Sequence, residues 1–171
     1  TNLTIIYKRG KLHLALTRGN GDRGDDITEL AREIANIPQK ISTDHAQIVI
    51  NGECVTDNDV ENFRNYVSGA LGLKSPSEFK ERNIKFIAHD ILSFTMNYTN
   101  KIDVLQNMGF FTVLDDAAWD YPCDGVVYRC NDWQKCHNLG YTSKYPRFAV
   151  ALKSRETITA VTTLKEVLWL S

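Results

Sequence analysis

Closely spaced cysteines are missing from this sequence. Cys54, Cys123, Cys130 and Cys136 form no C-x-x-C and no repeated pair. Structural metal sites usually draw on such pairs. The expectation is therefore no metal centre, and reduced, partly buried thiols of the kind found in cytoplasmic proteins. No apolar run approaches the ~20 residues that a membrane span needs, and no signal-peptide pattern opens the chain. A cytoplasmic location without membrane contact is expected. An excess of one charge is missing too: 20 Lys and Arg against 21 Asp and Glu give a net charge of −1. A polycation is excluded, so any nucleic-acid contact has to come from a local patch. No internal repeat, linker or low-complexity tract divides the chain. The first residue is Thr1 rather than Met, as in a chain that has lost its initiator or is a fragment. What is present is 171 residues, 43% apolar and 24% charged, enough for one domain around a hydrophobic core.

Leu3–Tyr7 and Leu12–Leu16 are short β-rich runs with Arg9-Gly10 between them, which predicts a hairpin. A polar, glycine-rich loop, TRGNGDRGDD, follows from Thr17 to Asp26. Asp26 is placed to cap a helix, with Glu29 as its capping-box partner. Ile27, Leu30, Ala31, Ile34 and Ala35 keep helical spacing, and Pro38 ends that helix. Ile48–Ile50 reads as a strand running into Asn51-Gly52-Glu53, with Glu53 at its end. A helix is predicted over Asp57–Leu71, with Val60, Phe63, Val67 and Leu71 on one face. Further strands are expected at Ile84–Ile91, Asp124–Cys130 and Phe148–Lys153, and one or two more in Thr157–Leu170; Ile102–Met108 reads as a short helix. Hairpin-joined strands with helices between some of them predict an α+β domain on antiparallel sheets.

Gly19, Gly21 and Gly24 spell GxGxxG between a strand and a helix. Asp44 lies about twenty residues on, which completes the outline of a dinucleotide-binding turn. The strands before it read as a hairpin, however, whereas that fold opens with a parallel βαβ unit. Two other readings stay open. The segment is a flexible turn with a capped helix, or a strained loop, permitted by glycine, that aims Arg18 at a ligand.

Longer stretches carry more. TRGNGDRGDD-IT resembles the TRGDGxxGED-VT segment of the adenylation domain of bacterial NAD-dependent DNA ligases. Asn51-Gly52-Glu53 resembles that family's RGE, and FRN-YVSGAL (63–71) its PRN-AAAGSL. CDGVVYRCND (123–132) resembles IDGVVIKVND, and LGYTSKYPRFAVALK (139–153) resembles LGxTSRxPRWAIAYK. The segments keep the family's order and cover most of the chain. Departures stand beside them. Arg129 replaces a lysine, Asn51 an arginine, and Gly72 stands where the family has arginine. The stretch from His89 to Asp124 is shorter than in the family. No K-x-D-G motif, the family's nucleophile, occurs in these residues; Thr1 would follow its glycine directly.

The resemblance implies a nucleotidyltransferase core of the DNA ligase and capping-enzyme type, with residues 1–171 a single adenylation domain truncated at both ends. It implies that the nucleophilic lysine and the helices that capture nicotinamide mononucleotide lie upstream or on a partner, and that an OB-fold follows. The chemistry it implies begins with a lysine attacking the α-phosphate of NAD, leaving lysyl-AMP. AMP then passes to the 5′-phosphate at a nick in duplex DNA, and the 3′-hydroxyl displaces it. Each step spreads negative charge over a phosphate, which fixed cations stabilise. Mg²⁺ would assist by neutralising phosphate oxygens.

By resemblance Lys153 contacts the α-phosphate, and Arg129 and Arg18 join it as catalytic cations. Glu53 accepts from the ribose hydroxyls. Asp124 binds metal or orients a phosphate ligand, or is an Asx-turn residue before Gly125. His89 stands near the family's base-stacking aromatic; it stacks on adenine or is a hydrogen-bonded strand histidine. Arg64 and Lys74 are assigned to nucleic acid, although Arg64 on a helix reads equally as a surface residue. Two other functional classes remain: a nucleotide- or DNA-binding module without chemistry, and one subunit of a split ligase. An ATP-dependent ligase or capping core is disfavoured by the TRGxG and AGSL-like segments.

Overall fold

Alternation in the first strand decides which way the body faces. In β1 (Asn2–Lys8), Leu3, Ile5 and Tyr7 are fully buried while Asn2, Thr4 and Ile6 are half exposed, the period-two pattern of a sheet with one wet face. The computed structural model describes residues 1–18, 24–123, 125–143 and 145–153. β1 pairs antiparallel with β2 (Lys11–Thr17) on one side and β3 (Gln47–Thr56) on the other, and β4 (Ile84–Ile91) completes a four-stranded sheet in the order β2-β1-β3-β4. The β1–β2 turn is Arg9-Gly10, with φ of 48° and 72°. Left-handed conformation at both central residues is what a two-residue hairpin needs. A Cβ on Gly10 would sit 2.5 Å from the Ile41 carbonyl oxygen, so the turn also requires glycine for space.

The inner face packs on short helices. In α1 (Thr28–Arg32) Leu30 and Ala31 are buried, in α2 (Phe63–Leu71) Val67, Ala70 and Leu71, in α3 (Pro76–Lys80) Phe79, and in α4 (Tyr98–Asn107) Ile102 and Leu105. Several boundaries differ from the sequence expectation. The first helix stops at Arg32 instead of running to Pro38. Glu33 and Ile34 close tight bonds to Leu30 and Ala31, which turns Ile34 and Ile37 into the core. Pro38 instead offers its carbonyl to the Tyr7 hydroxyl. No capping box forms. Asp26 accepts from the Thr28 amide and hydroxyl at 3.0 and 2.6 Å, and Glu29 pairs with Arg32. The second helix begins at Phe63, not Asp57. Asn62 caps it, while Asp57 is drawn to Lys85 and Tyr121 at 2.6 Å each. The helix expected at Ile102 starts earlier, at Tyr98.

A smaller lobe follows. β5 (Gly125–Arg129) and β6 (Ala149–Lys153) form an antiparallel ribbon, with α5 (Trp133–Leu139) between them. The lobe and the body exchange helix caps. Asn131 in the lobe accepts from the first amides of α4, its carbonyl from Tyr98 at 2.9 Å and its Oδ1 from Thr99 at 2.8 Å. Asn97 returns the favour to α5, accepting from the Trp133 amide at 3.2 Å. α3, α5 and a 3₁₀ turn at Asp116–Asp120 were not expected from periodicity. The strands expected in Thr157–Leu170 lie outside the described residues.

Candidate functional site

The outer face of the sheet is where the chemistry-bearing residues collect, and a bulge puts them there. β3 and β4 pair Asn51 with Asp90 and then Gly52 with Ala88, skipping His89. The extra residue breaks the alternation, as bulges do when they re-aim a side chain. His89 and Asp90 both serve the outer side: Asp90 opposite Asn51, and His89 with Nε2 3.4 Å from Asn2 Nδ2. The signal was present in KFIAHDI. Its residues in the main core cluster, Phe86, Ala88 and Ile91, are spaced by two and then three, one residue too many for a regular strand.

Glu53 does not end its strand. It sits inside β3, which continues to Thr56. Its Oε2 lies 2.8 Å from the Thr1 amino nitrogen. Gly52 before it is dictated by the opposite face, where a Cβ would meet the Phe86 ring at 2.3 Å. Nearby, the Thr4 hydroxyl donates to Asn51 Oδ1 at 2.7 Å. These two residues, with Asn2, Leu16, Thr17, Arg18 and Gly24, line an open pocket of about 420 Å³. Among the described residues one cation and no carboxylate line it, an arrangement that favours an anion.

Arg129 arrives from the lobe. Its Nη1 meets Asp90 Oδ2 at 3.0 Å, and Lys101 Nζ meets the other carboxylate oxygen at 3.0 Å. The guanidinium lies over the Tyr98 ring, 4.3 Å from its centroid, and 5.5 Å from that of Phe148. Arg129 Nε is buried without a partner among the described residues. The Tyr98 hydroxyl donates to the His89 carbonyl at 2.8 Å. Burial holds the His89 imidazole below its ordinary range; Glu53 and Asp90 oppose this and Arg129 adds to it. The ring is neutral near pH 7.

Arg18, Glu53 and His89 thus share one sheet face, and Asp90 draws Arg129 to its edge. Lys153 ends β6, exposed, opposite Gly125. Directly paired residues share a face, so Lys153 is on the same side of the ribbon as Arg129. It is four residue positions away, about 14 Å at ~3.4 Å per residue. Arg64 is exposed on α2, one turn before Ser68, whose hydroxyl lies 2.9 Å from that of Thr1. Lys74 is exposed in the α2–α3 connection and lines neither this pocket nor a smaller one beneath Arg129. Asp124 and Gly19–Gly21 lie outside the described residues. Sequence reasoning missed Asn2, Thr4, Asp90, Tyr98 and Lys101. Only Asp90, a charge inside an apolar strand, had a readable signal. Cys54 is buried on the core side of β3, and burial pushes its thiol up to about 12.

A family model described as the NAD-dependent DNA ligase adenylation domain matches residues 1–116 and 113–156. The two segments meet inside the His89–Asp124 stretch that reads as short. A DNA ligase of Campylobacter jejuni subsp. doylei is 33% identical over 191 aligned residues, covering 89% of the chain and 29% of the relative. One from Anaplasma phagocytophilum is 32% identical, covering 97% of the chain and 29% of the relative. One from Brachyspira hyodysenteriae is 30% identical, covering 88% and 28%. The chain spans less than a third of the length of these curated relatives.

Proposed function

Because the chain belongs to the family of the NAD-dependent DNA ligase adenylation domain, we propose that its outer sheet face holds the AMP portion of NAD and offers the phosphate for transfer to the 5′ end of a nick in duplex DNA. The observation that carries this reading is the gathering of Arg18, Glu53 and His89 on one polar face, with Arg129 drawn to it by Asp90. In this reading Glu53 accepts from the ribose hydroxyls and His89 stacks on the base. Arg18 and Lys153 supply the phosphate cations. Lys153 has no ion-pair partner among the described residues. Arg129 is already neutralised in part by Asp90; its role is to orient the lobe as well as to attract the phosphate. Arg64 and Lys74 contact the nicked strand.

The nucleophilic lysine and the nicotinamide-capturing helices come from polypeptide outside these 171 residues, and an OB-fold closes on the DNA from the other side. Among the described residues no cluster of three or more His, Cys, Asp or Glu side chains is arranged to hold a metal ion. Mg²⁺ would accordingly be held chiefly by phosphate oxygens, with Asp124 the carboxylate assigned to it, and would neutralise phosphate charge there.

The test is covalent adenylation from labelled NAD, with a polypeptide carrying the K-x-D-G lysine supplied. Lys153→Ala is expected to abolish labelling with folding intact, and undiminished labelling would remove Lys153 from the reaction. The 171-residue chain alone is expected to gain no AMP mass; a gain would identify a different nucleophile.

A further inference from the structure

Asn2 occupies a position that no motif assigns. Its Nδ2 donates to the Gly52 carbonyl at 3.2 Å, which fixes that atom as nitrogen, because a carbonyl only accepts. The same Nδ2 lies 3.4 Å from His89 Nε2. A nitrogen whose second N–H points at a ring nitrogen requires that ring nitrogen to accept. Nε2 is then unprotonated, and in the neutral ring the proton is on Nδ1. His89 needs such a restraint, since a bulge residue lacks a cross-strand partner to hold it.

We propose that Asn2 is a positioning residue: anchored on Gly52, it holds His89 in one orientation as the Nδ1–H tautomer, so that the Nε2 edge is committed and a face is left for the base. The last clause rests on the adenylate reading above; the tautomer does not. Protonation would turn Nε2 into a donor facing a donor and break the contact. The charged groups around the ring are Glu53 from β3, Asp90 from β4 and Arg129 from β5.

The experiment is long-range ¹⁵N NMR on the ¹⁵N-histidine-labelled chain near pH 7.5, with His89→Gln assigning the signal, and AMP titration in parallel. His89 is expected as Nδ1–H. Asn2→Ala should release it toward the Nε2–H form and weaken AMP binding by about fivefold, the size of one neutral hydrogen bond. Asn2→Asp, which can only accept there, should force Nε2–H and raise the pH at which the ring titrates. In the His89→Gln background, Asn2→Ala should change AMP affinity no further. An Nε2–H ring in the wild type, or one unmoved by Asn2→Ala, overturns the role of Asn2 whatever AMP does. A wild-type chain with the expected tautomer that binds no AMP overturns the adenylate reading instead.

Discussion

The body up to Phe110 and the lobe from Gly125 to Lys153 are held by different physics. Among the described residues, every buried hydrophobic side chain lies between Leu3 and Phe110. None of β5, β6 and α5 contains a buried residue; Val127 is 64% exposed and Val150 58%. The body is placed by apolar burial, which is non-directional. The lobe is placed by directional contacts: Arg129 on Asp90 and between two rings, Asn131 on α4, and Asn97 on α5. Stability therefore resides in one region, while the geometry of the candidate site depends on how the other is tied to it.

The largest test of that division is Phe86→Ala. It empties a fully buried site in the body and should cost about 3–5 kcal/mol in denaturant unfolding. Val150→Ala in the lobe should stay within ~0.5 kcal/mol; equal losses would erase the contrast. Next comes Asp90→Ala, which strands two partly buried cations. It should cost about 2–4 kcal/mol, and in hydrogen exchange residues 125–153 should lose protection before the body strands do. Unchanged protection there would mean that the ion cluster does not hold the lobe. Asn131→Ala removes a side-chain acceptor at the start of α4 and should cost about 1 kcal/mol, seen as faster exchange at Thr99. The smallest effect concerns pH. His89 titrates below its ordinary range because it is buried, so the unfolded chain binds the proton more readily. Stability is full above the ordinary imidazole value near 6.5 and falls as the pH drops toward the lower folded value. His89→Asn should flatten that part of the curve, and an unaltered slope would assign it to another group.

Strands could be read in advance in both regions: β1, β2, β4, β5 and β6 follow from short, β-rich apolar runs, and the sheet class follows with them. α5 was not foreseen, since a helix with no buried face leaves no apolar period to read. α1 was overextended because Ile34 and Ala35 keep helical spacing, even though a tight turn, not helix, delivers Ile34 to the core and leaves Ala35 exposed. At the site, Arg18, Glu53, Arg129 and Lys153 were named through resemblance to a ligase family. Their supporting residues were not: Asn2, Thr4 and Lys101 act through contacts to residues far along the chain, which no local pattern encodes.

The traded asparagines have a mechanical consequence. The backbone amides of Tyr98 and Thr99 find their acceptors on Asn131, and that of Trp133 on Asn97. Hydrogen bonds weaken steeply with distance and angle, so the seating of α5 against α4 depends on both asparagines keeping their places.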